Sequence, residues 1–185
     1  YSLGEYTAAC LAGVFSLGDC LTLVARRARL IEELPPGAML AVPLRVDEIE
    51  PLLRDGVDGL GVAVVNGPAH QVVSGPLAAV EALEARLTER GVLCRRLAAH
   101  HAGHSSMMEP IAGRLRELVA GFTLRPPQIP FVSNVTGTWI RPEEATDPDY
   151  WVRHLCGRVL FGDGLTKLFE LESVLLEVGP GQSLT

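Results

Sequence analysis

The sequence predicts an α/β protein, with a mainly parallel sheet in its core and a smaller β-α-β-β-α-β lobe inserted into it. Three observations predict this. Apolar runs of strand length alternate with stretches of helical periodicity. The first residues, Tyr1-Ser2-Leu3-Gly4, have the composition of a sharp strand-to-helix turn. Residues 38–98 carry strand, helix, strand, strand, helix and strand in that order, with helical sequence on either side.

The elements follow in order. Leu3–Leu11 is a short helical run of small and apolar residues, closed by Gly13. Ser16 starts the next helix as an N-cap, with Asp19 three residues on, and the helix runs to about Glu33 before Pro35-Pro36-Gly37. Its apolar face is read as Leu17, Cys20, Leu21, Val24, Ala28 and Ile31, and Arg27 projects from that same face. In the inserted lobe, Ala38–Leu44, Leu60–Val65, Gln71–Val73 and Val92–Leu97 read as strands. Val46–Leu53 and Leu77–Arg90 read as helices. Beyond it, Met107–Val119 is expected to be a helix with Ser106 and Glu109 as a capping box. Ile129–Val132 and Val174–Val178 are expected strands, and Tyr150–Cys156 and Phe161–Phe169 are expected helices.

Composition narrows the function. The 185 residues hold 16 basic and 22 acidic side chains, a formal charge of -6, which argues against a general nucleic-acid binder. No apolar run approaches the length of a membrane span, and no signal peptide is visible. Cys10, Cys20, Cys94 and Cys156 are widely spaced, so they read as reduced, mostly buried thiols of a cytoplasmic protein.

Five residues are weighed for chemistry. With a glycine before Tyr1 the opening would read G-Y-S-L-G, an instance of G-x-S-x-G, which makes Ser2 a candidate nucleophile. On this reading the sequence begins inside an active site. Arg27 is costly on an apolar face unless an anion meets it, although a snorkelling side chain or an internal ion pair would also satisfy it. His100, His101 and His104 invite a metal reading. Neither an H-E-x-x-H spacing nor a neighbouring carboxylate completes such a site, so no metal is expected. His104 precedes a helix, whose positive end would keep its imidazole neutral and able to accept a proton.

Taken together, Ser2-Leu3-Gly4-Glu5-Tyr6, Arg27, His101-Ala102-Gly103-His104-Ser105, Asn134, Tyr150-Trp151-Val152-Arg153-His154-Leu155 and Glu177-Val178-Gly179-Pro180-Gly181 stand in a recognisable order. They resemble the malonyl-CoA:acyl carrier protein transacylases, above all the acyltransferase domains of modular polyketide synthases. The resemblance covers essentially the whole chain. It implies a hydrolase-like acyltransferase core over residues 1–37 and 99–185, with residues 38–98 as an inserted ferredoxin-like subdomain. It also implies a Ser-His dyad. Ser2 would take the acyl group from an acyl-CoA as an ester, and His104 would hold the proton. The Leu3 N–H would donate into the oxyanion hole, and Arg27 would pair with the free carboxylate of malonyl or a related extender. His154 would orient His104 through its backbone carbonyl.

The implied partners are an acyl carrier protein, whose phosphopantetheine thiol receives the acyl group, and neighbouring ketosynthase and other synthase domains. The implied substrates are malonyl-CoA or alkylmalonyl-CoA, with no bound cofactor, no nucleic acid and no membrane. His101 and Gly103 would set extender choice. His101 and Leu3 favour malonyl, whereas Gly103 leaves room for a branch, and such shape discrimination is worth only about 1–3 kcal/mol per carbon. The chain departs from the family in having Tyr1 where a histidine is usual. The family's Gln-rich segment, which carries the second oxyanion donor, is absent from the sequence. The chain is therefore expected to be a fragment, inactive alone. Two other readings stay open: a G-x-S-x-G esterase, and a non-catalytic piece of a synthase.

Overall fold

The computed structural model describes residues 1–54, 59–171 and 174–179. Its elements are α1 (Leu3–Leu11), α2 (Leu17–Glu32), β1 (Gly37–Val42), α3 (Val46–Arg54), β2 (Gly61–Gly67), β3 (His70–Pro76), α4 (Leu77–Glu89) and β4 (Arg95–Arg96). After a 3-10 helix (Ser106–Ile111) come α5 (Ala112–Ala120), α6 (Pro142–Ala145), α7 (Pro148–Cys156) and α8 (Phe161–Phe169).

The four strands form one antiparallel sheet in the order β2-β3-β1-β4. Alternation along β1 sends Ala38, Leu40 and Val42 to one face, where they pack with Val80, Leu83 and Leu87 of α4 and Ile49 of α3. Met39 turns to the opposite face, against Val64, Val72 and Val159. A second, larger core joins α1, α2, α5 and α7 around Tyr6, Phe15, Leu23, Leu115 and Trp151. The segment after α7 links the two units. Val159 pairs in parallel with Val64, donating to Ala63 O and accepting from Val65 N at 2.8 Å each.

Several expectations change. The mainly parallel sheet is not found among the described residues. Ile129–Val132 contributes only the bridge from Val132 to Trp139, and 174–178 has no regular structure, with Val174 97% exposed. An apolar run becomes a strand only when neighbours take its N–H and C=O groups, and no described strand lies beside either run. Pro180 and Gly181 of the expected turn lie outside the described residues. The buried stripe of α2 is Cys20, Leu23 and Leu30, while Leu17 and Leu21 are exposed, because the core lies on one side of the helix only. The helix expected from Met107 is split at Pro110, which lacks an N–H, into the 3-10 turn and α5. Its cap is Ser105, whose Oγ accepts from Met107 N at 3.2 Å, rather than Ser106. The four thiols are free, but only Cys20 is buried and the others are half-buried.

Gly37 sets how closely the loop 100–104 approaches the sheet. It donates from its N–H to His100 O at 3.0 Å, and a Cβ there would lie 2.7 Å from Ala102 Cβ and 2.8 Å from its backbone N. Backbone cannot yield as a flexible side chain can. Gly37→Ala is therefore expected to cost about 1–3 kcal/mol, read as a lower midpoint in urea unfolding.

Candidate active site

Ser2 stands immediately before α1 with φ 50° and ψ -96°, a conformation that L residues rarely adopt. Among the described residues only Ser2 and His104 (φ 58°) combine a side chain with positive φ. Backbone strain of this kind costs of order 1–3 kcal/mol and persists where surrounding structure over-determines it. Here the two strained residues are partners, with His104 Nε2 3.1 Å from Ser2 Oγ.

The tautomer follows from the other side of the ring. His104 Nδ1 lies 3.2 Å from Gly157 O, a carbonyl that can only accept, so Nδ1 carries the hydrogen and Nε2 is left to accept from the serine hydroxyl. His104 is buried, and its pKa is lowered to about 4. Desolvation is the main cause, followed by the charges of His154 and Arg27. The carbonyls of Gly157 and His154 work the other way. The histidine is thus neutral, as the sequence suggested, but burial does most of this rather than a helix end. The neighbouring helix is a short 3-10 turn.

Arg27 reaches the same point from α2. Its Nη2 is 3.4 Å from Ser2 Oγ, and the guanidinium carbon lies 5.7 Å from the Tyr6 ring centroid. Its Nε is buried and has no hydrogen-bond partner. Arg26 and Arg29 are exposed. A buried donor without an acceptor is costly, and an anion placed beside Ser2 would supply one.

The remaining expected residues divide. Leu3 is the first residue of α1, where the N–H has no intrahelical acceptor, so it is free to face an oxyanion beside Ser2. His101 is half-buried with an unpartnered Nδ1, and Gly103 faces Met39, whose Sδ would lie 3.8 Å from a Cβ at Gly103. His154 requires a correction. The carbonyl hydrogen-bonded to His104 belongs to Gly157, because α7 ends at Cys156 and Gly157 continues extended (ψ 167°). The His154 carbonyl plays a lesser part, and its side chain is buried, with Nε2 3.3 Å from Glu5 Oε2.

Glu5 belongs to the opening motif, but nothing in the sequence assigns it a role. It is 3% exposed and accepts from Asn134 N at 2.8 Å and from the Tyr150 hydroxyl. The available signal was an acid among the small and apolar residues of α1. Elsewhere, no group of three or more His, Cys, Asp or Glu among the described residues is placed to hold a metal ion. No described helix is long and apolar enough to cross a membrane.

A serine on a strained turn at a helix start, facing a buried neutral histidine, is an arrangement in which the hydroxyl can pass its proton to the ring. Comparison with known proteins gives the family. The profile of the acyl transferase domain family matches residues 1–185, and the chain belongs to that family. It is 44% identical over 186 residues to a phenolphthiocerol/phthiocerol polyketide synthase protein of Mycobacterium tuberculosis, covering 100% of this chain and 12% of that protein. It superposes on the acyl transferase domain of ZmaA with a TM-score of 0.91 and 44% identity, over 100% of this chain and 42% of that one. A malonyl-CoA:acyl carrier protein transacylase from Xanthomonas oryzae pv. oryzae matches at 32% identity and a TM-score of 0.85, over 92% and 56% of the two chains. The chain thus spans about an eighth of the mycobacterial relative and less than half of the ZmaA domain.

Proposed function

We propose that the chain carries the acyl-transfer site of a polyketide synthase acyltransferase, which moves a malonyl-type extender from acyl-CoA to a carrier protein through a Ser2 ester. The observation that supports this most is Arg27: a partly buried guanidinium beside Ser2, with a buried and unpartnered Nε, suits an acyl group that ends in a carboxylate. An esterase handling uncharged acyl groups has no use for it.

The first half-reaction begins when Ser2 Oγ attacks the thioester carbonyl and passes its proton to His104 Nε2. The Leu3 N–H donates to the oxygen that gains charge. Collapse breaks the C–S bond, and the departing CoA thiolate takes the proton from His104. In the second half-reaction the phosphopantetheine thiol of the carrier protein gives its proton to His104 and attacks the ester. Ser2 then leaves with that proton. No bound cofactor enters either step. Neighbouring ketosynthase and other synthase domains would be the further partners. His101 and Gly103 precede His104 in the same loop, and we read them as setting extender choice, with malonyl preferred.

Residues 1–37 and 99–185 are read as part of a hydrolase-like core and 38–98 as a ferredoxin-like lobe. The two separate apolar cores and the antiparallel order β2-β3-β1-β4 favour that division.

The test is intact-protein mass spectrometry of the longest natural polypeptide carrying this chain, after incubation with equal malonyl-, methylmalonyl- and ethylmalonyl-CoA. A malonyl adduct mapping to Ser2 is expected. No adduct from any of the three would overturn the dicarboxylate reading.

A further inference from the structure

The buried carboxylate of Glu5 lies one step behind the dyad. Among the described residues it is the one buried carboxylate, and burial of a charge is tolerated only where hydrogen bonds meet it. It accepts hydrogen bonds from Asn134 N and the Tyr150 hydroxyl, and His154 Nε2 stands 3.3 Å away as a contact without hydrogen-bond geometry. These groups come from two other parts of the chain. Tyr150 Oη and His154 Nε2 belong to α7, and Asn134 N belongs to the turn after Ser133. The Tyr150 hydroxyl also meets Ser133 Oγ at 2.7 Å, so the two parts are tied to each other as well. Asn134 passes the constraint onward, because its carbonyl accepts from Leu160 N at 2.8 Å.

The consequence is geometric. Gly157 lies between His154 and Leu160. The first contacts Glu5, and the second hangs from the residue whose N–H Glu5 holds. Gly157 O is the acceptor that fixes the His104 ring, and Glu5 sits three residues after Ser2 on α1. One carboxylate therefore ties the nucleophile helix to both ends of the segment that aims the base.

We propose that Glu5 is a positioning residue for acyl transfer, a buried clamp that holds the Gly157 carbonyl in place and so fixes His104 against Ser2. It does at one remove what the acid of a Ser-His-Asp triad does by direct contact. His154 belongs to this clamp through its side chain. The inference rests on the function proposed above for Ser2 and His104.

The test uses Glu5→Gln in the longest natural polypeptide carrying the chain. The amide keeps the shape but removes the charge, and with its oxygen on Asn134 N–H its NH2 faces the Tyr150 hydroxyl, which must give up donating to residue 5 and turn its hydrogen to Ser133 Oγ. The expected result is a folded protein by near-ultraviolet circular dichroism in which kcat falls about tenfold or more while KM changes less than about threefold. The downfield proton resonance of His104 Nδ1–H should move upfield or broaden as its bond to Gly157 loosens. Tyr150→Phe removes a single donor and should give the same pattern at smaller amplitude.

A folded Glu5→Gln protein with unchanged kcat and an unchanged His104 resonance overturns the proposal, as does a change confined to KM. If Glu5→Gln does not fold, Tyr150→Phe decides by the same two readouts. If the wild-type protein forms no serine ester, the functional reading fails. The resonance needs no substrate and still tests the clamp.

Discussion

Ser2→Ala is expected to abolish the acyl-enzyme, and His104→Ala to slow its formation by about 10²–10⁴-fold. The geometry sets the scale. Ser2 Oγ lies 3.1 Å from a histidine nitrogen that has no hydrogen of its own in the neutral tautomer, so removing the ring leaves the hydroxyl with no base in place. The double variant should be no worse than Ser2→Ala, because the two side chains act as one unit. The pH dependence follows from burial. Only neutral His104 accepts a proton, and its pKa is lowered to about 4, so kcat/KM should hold from neutrality down and fall only as pH drops through about 4. A fall centred near 6.5, the ordinary histidine value, would show that His104 is more solvated than its buried position implies. Stopped-flow measurement of CoA release across pH reads both effects.

Arg27→Gln is expected to lower kcat/KM for malonyl-CoA by about 10²–10³-fold, the scale of removing one partner of a desolvated, hydrogen-bonded charge pair. Acetyl-CoA has no carboxylate to offer. With that substrate the Nε of Arg27 stays buried without an acceptor and no carboxylate meets the charge, so the variant should accept acetyl-CoA as well as the wild type or better. The preference between the two thioesters should invert. The same substitution removes one of the charges that hold the His104 pKa down, so the acid limb of kcat/KM should shift to higher pH. Equal losses for both thioesters would assign Arg27 a structural role.

Much of this was legible before any tertiary contact was known. The elbow composition pointed to Ser2, and α1 does begin at Leu3. Ser16 and Asp19 marked the start of α2, where Ser16 Oγ accepts from Asp19 N at 3.1 Å. Helical spacing picked Arg27 out from Arg26 and Arg29, and of the three only Arg27 is partly buried. The strand and helix order of the lobe is legible within a few residues at most ends, except that the last strand shrinks to Arg95–Arg96. These features are local. Caps, turns and periodicity are written within a dozen residues, so sequence spacing reports them directly.

What the sequence alone could not assign was everything that depends on which groups meet. Apolar runs at 129–132 and 174–178 look like strands until one asks what would pair with them. His154 stands in the right sequence neighbourhood to offer the carbonyl that orients the base, yet Gly157 is the residue that α7 delivers to that place. The depressed pKa of His104 comes mainly from desolvation, which no sequence pattern reports. Glu5 reads as an ordinary acid in a helix, but in the fold it meets partners 129 and 145 residues away in sequence. Periodicity and motif spacing determine which side chains share a face and which turn presents Ser2 at the start of α1. Burial and long-range pairing determine charge state and orientation, because both depend on water excluded by segments far apart in the chain.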